Sequence, residues 1–294
     1  MKRKLAWLIA VLLTLTAVSC RKASSTSDMN ILFLHHSTGA VIWRGAPPST
    51  IVRAANKISS GLAGLLDKKP RLPQLFEEYN RQANKHYRIE ETAFPKMTPY
   101  GWHNYPYDYY NIWVRHSGEN SFMEEPTLEM LTKEYQVIIF KHCFPVSNID
   151  AGTNSPDINS DQKTLPNYKL QYLALRDKLH QFPKTKFIVL TGAAQVRSQI
   201  SEDQAKRAKE FFKWVTDEWD LPNDNIFVWD LYQLETEGGY YLKDSYAASG
   251  DDSHPNAQFA TRAAQLFFNR IVDVIDRNGT ETTLTGEKRQ ASSR

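Results

Sequence analysis

The chain has 294 residues, 41% of them hydrophobic and 12% aromatic, enough to bury one large core. Its 36 basic and 33 acidic residues give a formal charge of +3, and three of the basic ones, Lys2, Arg3 and Lys4, fall in an apolar leader. The remaining body is formally neutral, which gives no electrostatic footprint for a nucleic-acid partner. The only two cysteines are Cys20 and Cys143.

In chain order, Lys2 to Lys4 precede the uncharged stretch Leu5 to Ala17 and then small residues. That is the pattern of a secretion signal over residues 1–19, too short for a stable membrane span. Ala17-Val18-Ser19-Cys20 resembles the lipobox of bacterial lipoproteins. The resemblance implies cleavage before Cys20, acylation there, and an exported protein held on a membrane, the outer one where the cell has two. With Cys20 acylated, Cys143 has no disulfide partner. Residues 20–29 read as a flexible polar tether. Short strands follow at Ile31 to Leu34, about Tyr87 to Thr92, Val137 to Phe140, Phe187 to Leu190 and Ile226 to Trp229. Most are continuous apolar runs, as expected of strands covered on both faces. Tyr168 to Leu179, Gln204 to Trp219 and Ala257 to Ile275 carry apolar residues three or four apart and read as helices facing a sheet. The alternation predicts a doubly wound α/β domain over residues 30–277. Residues 278–294 lack apolar periodicity and aromatics and are expected to be disordered.

In such sheets the working residues lie just past the carboxyl ends of the strands. After the first strand comes His35-His36-Ser37-Thr38-Gly39, and before the last helix Ser249-Gly250-Asp251-Asp252-Ser253-His254-Pro255. A lone serine at such a turn is commonly a helix cap. Paired with a histidine whose imidazole a nearby carboxylate orients, it becomes a candidate nucleophile. Together the two segments resemble the SGNH, or GDSL, hydrolase superfamily. The resemblance implies a flavodoxin-like three-layer sandwich with a five-stranded parallel sheet, Ser37 as nucleophile, His254 as general base, Asp251 as its orienting group, and Asp252 as a solvated or capping neighbour. The chain departs from the family pattern in two places. His35-His36 replaces the usual Gly-Asp before the serine, and Lys141-His142-Cys143 follows the third strand, placing Cys143 where an asparagine donor is usual. The oxyanion donors are therefore sought among Ser37 N–H, Gly101, Cys143, Asn148 and His142.

The segment from Tyr100 to Trp113 is dense in aromatics interleaved with Asn, Asp and His. Such a segment either stacks on sugar rings or packs core and rim. His36, Trp102, His103, Tyr107 and His142 are the candidate substrate contacts. The polar insertion Ser147 to Asn167 is a candidate wall or lid. The expected activity is hydrolysis of a carbohydrate ester, removing acetyl or another small acyl group, with no cofactor and no metal. Two alternatives stand beside it. One is a zinc-dependent hydrolase using loop histidines and Cys143; the other is a non-catalytic carbohydrate-binding surface lipoprotein.

Overall fold

The computed structural model describes residues 29–47, 69–152 and 155–290. The leader, Cys20 and nearly all of the tether lie outside the described residues. Strand β1 (Met29–His35) leads into helix α1 (Ser37–Arg44), and α2 (Arg71–Ala83) precedes β2 (Tyr87–Ala93). Helix α3 (Pro106–Tyr110) continues as a π-helical turn through Arg115, followed by α4 (Leu128–Glu134) and β3 (Val137–Lys141). A 3-10 turn (Phe144–Ser147), α5 (Leu165–Leu179), β4 (Lys186–Leu190), α6 (Glu202–Trp214, extended to Trp219) and β5 (Ile226–Trp229) come next. The chain ends through α7 (Leu231–Thr236), β6 (Ala247–Ser249), β7 (Asp252–Pro255) and α8 (Ala257–Arg277).

The five long strands form one all-parallel sheet in the order β2-β1-β3-β4-β5. That is the flavodoxin-like order, with its switch point between β1 and β3. Alternation of side chains along each strand splits the core into two layers. Leu32, Leu34, Ile138, Phe140, Phe187 and Val189 pack with α3, α5 and α6. Ile31, Phe33, Val137, Ile139, Ile188 and Leu190 pack with α1, α2 and α8. The expected three-layer α/β architecture is the one observed. Side-chain caps start four of the helices: Thr164, Ser201, Asp230 and Asn256 accept from Asn167, Gln204, Gln233 and Phe259 N–H.

Two expectations need correction. The tail is ordered through residue 290 and packed on β5 and α8. Asp273 Oδ2 accepts from Thr282 N–H at 2.8 Å and from its hydroxyl at 2.6 Å, and Arg270 donates to Gly279 O at 3.0 Å. Trp229 Nε1 donates to Thr285 O and Asp230 N–H to Leu284 O. Hydrogen bonds from buried polar side chains hold it, which apolar periodicity does not reveal. No described residue of the insertion after β3 is among those lining the crevice at Ser37, where a wall or lid is expected. Tyr105 OH bonds Asp161 O, Tyr110 OH bonds Asn159, and Gln171 bonds the carbonyls of Ile158 and Ser160, seating it against α3 and α5.

Candidate active site

Ser37 is the first residue of α1 and is solvent-exposed. His36 stands at the cap position without a side-chain cap, so the first-turn N–H groups of α1 have no partner from that side chain. Helix α1 can begin this close to β1 because residue 39 is glycine. A Cβ there would lie 2.5 Å from both Cβ and Cγ of His35, whose buried ring is fixed by Glu91 at 2.7 Å.

His254 stands on β7, at the far side of the same crevice. Its Nδ1 lies 2.7 Å from Asp252 Oδ1, and its N–H donates to the same oxygen at 2.9 Å. Burial works against ionisation of Asp252, but these two bonds outweigh it and hold its carboxyl below the usual range. Nδ1 therefore carries the proton donated to Asp252, leaving Nε2 to accept one. Phe144 packs edge-on against the imidazole, ring centroids 5.2 Å apart. Ser37, Asp252 and His254 line one open crevice of about 660 Å³, together with Val41, Arg44, Ser249 and Asn256. A cavity of about 730 Å³ lies elsewhere, among Tyr79, Lys85, Phe268 and Asp276. There the Asp276 carboxylate is already taken up by Tyr87 and Lys85.

Asp252, not Asp251, is the partner of His254. The expected three-residue spacing presumes a helical turn or tight loop, but β6 and β7 form an antiparallel hairpin. On a strand, residues two apart share a face. Asp251 is left exposed at the hairpin tip, its carboxylate on Ser249 Oγ. Between the two working residues Ser253 points inward, accepting from Val196 N–H at 3.0 Å and bonding Gln199. These bonds tie the hairpin to the loop after β4.

Among the candidate oxyanion donors, the structure brings Cys143 to Ser37, with Sγ 3.3 Å from Oγ. The Cys143 N–H is committed to Asn104. Gly101 is not available, because its N–H donates to Met97 O at 2.6 Å within a turn of positive φ. Asn148 is turned to Gln195. His142 is 1% exposed and bonded to Tyr172 OH at 2.7 Å, so it is neither a donor at the surface nor a substrate contact. Burial, with Lys141 beside it, pushes its pKa down to about 3.

The aromatic segment divides. Tyr105, Tyr109, Tyr110 and Trp113 are core, whereas Trp102 and Tyr107 are half-buried and His103 is exposed. Trp102 stacks on His36 at 4.3 Å and 13°. Burial pulls His36 below its ordinary range despite its bond to Pro95 O, so the ring is neutral and Nε2–H is the donor. This places a rigid aromatic face one residue from Ser37. None of His36, Trp102, His103 and Tyr107 is among the residues lining the Ser37 crevice. The loop histidines and Cys143 do not converge: among the described residues no three His, Cys, Asp or Glu side chains are grouped to hold a metal ion.

Sequence reasoning missed a buried polar layer beneath the site. Lys141, the last residue of β3, is fully buried and donates to His142 O at 2.5 Å. Glu235 on α7, also fully buried, accepts from Ala194 N–H at 2.6 Å. A lysine ending an otherwise apolar strand was the one available signal.

No family model matches the chain, and no curated protein matches it. Solved structures are similar to it at low identity, the following three among them. One is a gut microbial diltiazem-metabolizing enzyme, at 13% identity and a TM-score of 0.44 over 82% of this chain and 46% of that one. The second is a carbohydrate esterase described as having an active site with divergent catalytic and non-catalytic binding functions, at 12% identity and a TM-score of 0.37, covering 83% and 65% of the two chains. The third is a Corynascus thermopiles (Myceliophthora fergusii) carbohydrate esterase family 2 enzyme with a carbohydrate binding domain, at 11% identity, a TM-score of 0.44 and coverages of 84% and 66%. The chain spans about half to two thirds of the length of these proteins.

Proposed function

We propose that the chain is an SGNH-type serine esterase that removes acetyl or another small acyl group from a carbohydrate. The observation that carries this reading is a single crevice lined by an exposed Ser37 and by His254, whose Nδ1 is held by Asp252. Ser37 Oγ attacks the ester carbonyl while His254 Nε2 takes its proton. The tetrahedral intermediate collapses, the sugar alcohol leaves with that proton, and water then cleaves acyl-Ser37 by the same route. Ser37 N–H at the start of α1 and the Cys143 thiol are the groups placed to meet the developing oxyanion, the thiol being the weaker donor. The Trp102–His36 stack, next to Ser37 in the chain although outside the crevice lining, is the aromatic face we assign to a sugar as the alcohol half. The same proposal places the protein outside the cytoplasm on a lipid anchor at Cys20.

The test is a fluorophosphonate probe combined with steady-state hydrolysis of 4-nitrophenyl acetate and acetylated polysaccharides. The probe labels Ser37 in the wild type, and Ser37→Ala or His254→Ala each lowers kcat by about 10³-fold or more. Full activity of Ser37→Ala, or labelling of another serine, refutes the site. The anchor is tested separately: wild type partitions into detergent with a blocked, acylated N-terminus, and Cys20→Ala keeps its leader uncleaved. A wild-type protein in the aqueous phase refutes the anchor alone.

A further inference from the structure

Cys143 meets Ser37 through a contact too weak to hold itself. A thiol is a poor donor and a poor acceptor, so the 3.3 Å approach of Sγ to Oγ must be imposed by whatever fixes the Cys143 backbone. That fixing comes from the loop after β2. Asn104 is fully buried, with a left-handed backbone of φ 57°. Its Oδ1 accepts from Cys143 N–H at 2.9 Å, its carbonyl oxygen lies 3.3 Å from the same nitrogen, and its Nδ2 donates to Phe94 O at 3.2 Å. Its own N–H and that of His103 are gathered by the buried carboxylate of Asp108, at 2.5 and 2.9 Å. On the other side of the turn, Lys141 Nζ holds the carbonyl of His142.

We propose that Asn104 is a positioning residue for the hydrolysis, clamping the Cys143 N–H so that Sγ rests against Ser37 Oγ and the serine hydroxyl is directed at His254. The proposal rests on Ser37 being the nucleophile. A tie that served stability alone would leave turnover intact in any variant that folds. A clamp on the reacting geometry acts on kcat, because a displacement of about 1 Å at a reacting group can cost on the order of 10²-fold in rate.

Asn104→Gly is the informative variant, since glycine adopts positive φ without strain and only the side chain is lost. In full-chain protein, kcat on 4-nitrophenyl acetate falls about 10- to 100-fold while KM stays within about threefold, and probe labelling of Ser37 slows by the same factor. Iodoacetamide alkylates Cys143 about tenfold faster than in wild type, because a buried thiol reacts only when its surroundings open. In a Cys143→Ala background, adding Asn104→Gly changes kcat by less than about threefold, the signature of action through Cys143. Wild-type kcat in a folded Asn104→Gly protein, or an undiminished loss in the Cys143→Ala background, overturns the proposal. Should Asn104→Gly not fold, amide exchange of the wild type decides. Protection of Cys143 N–H equal to that of the β3 amides supports the clamp, and exchange at the rate of an exposed loop overturns it. If wild-type Ser37 takes no label, the hydrolase reading fails and the kinetic role with it. Alkylation and exchange at Cys143 then report on the clamp alone.

Discussion

Asp251 and Asp252 are neighbours in sequence with different partners, because β7 begins at Asp252 and sets it on the same face as His254 two residues on, whereas Asp251 precedes the strand. Asp252 shares its face with His254 and fixes the Nδ1 tautomer; Asp251 sits exposed at the hairpin tip. Asp252→Asn therefore lowers kcat by about 10²- to 10⁴-fold, since an amide can hold the wrong tautomer, whereas Asp251→Asn changes kcat less than about threefold. Steady-state kinetics of the two single variants check this, and the reverse ranking would mean that the hairpin does not set the charge partner. Ser37 and His254 could be located from the chain alone because their places follow from where β1 ends and where the last helix begins. The choice between two adjacent carboxylates depended on whether the segment is strand or turn. Asn104 gave no signal, because its function consists of contacts to Phe94 and Cys143, which lie far apart in sequence.

Among the elements, the loop after β4 carries the hairpin that bears His254, through the bond from Val196 N–H to Ser253. Glu235 on α7 holds that loop by accepting from Ala194 N–H. Burial is the largest influence on this carboxyl and pushes it up to about 7, opposed by the Ala194 bond and the charge of Lys141. Its folded pKa lies above its unfolded value, near 4.5. The group's contribution to stability is thus fully present below that value and is lost as pH rises through about 7. The lowered pKa of His142 works in the opposite direction below about pH 6.5, so the check is a difference: from pH 5 to pH 8 the Tm of Glu235→Gln should rise relative to that of the wild type. An equal slope in the two proteins would mean that another group carries the dependence. Four of the five sheet strands were legible as apolar runs because both their faces are covered, whereas the edge strand β2 carries Arg88, Glu90 and Glu91 and is largely exposed. The β6–β7 hairpin was not legible. Its strands are only three and four residues long, and bonds to distant partners such as Val196 and Gln199 help to hold them.

At the scale of the whole molecule, residues 278–290 close the flank of the sheet beside β5. Composition suggested a loose tail, since this segment brings almost nothing apolar to a core. Its order comes instead from α8, where Arg270 and Asp273 are 4% and 5% exposed and the tail satisfies both. Asp273 Oδ2 accepts two bonds from Thr282, Asp273 Oδ1 accepts one from Glu281 N–H, and Arg270 bonds Val228 O on the sheet as well as Gly279 O. Asp273→Ala leaves those tail donors without their acceptor and the Arg270 cation without the buried carboxylate 3.7 Å from it. Uncompensated buried groups of this kind cost on the order of 3–5 kcal/mol when a buried pair is broken. A chain ended after Arg277 loses those bonds together with the ones to Arg270, Trp229 and Asp230, at about 1 kcal/mol each, so its loss is at least as large even though water reaches the freed groups. The expected urea midpoints put the wild type highest, with Asp273→Ala and the truncated chain both clearly lower. The recorded partners of the tail lie on β5 and α8 rather than among the residues lining the Ser37 crevice. Probe labelling of Ser37 in both variants should therefore match the wild type wherever all three are folded. A truncated chain as stable as the full one would show that the tail rests on the domain without supporting it. Slowed labelling in a folded truncation would show instead that the flank and the crevice are mechanically joined through α8.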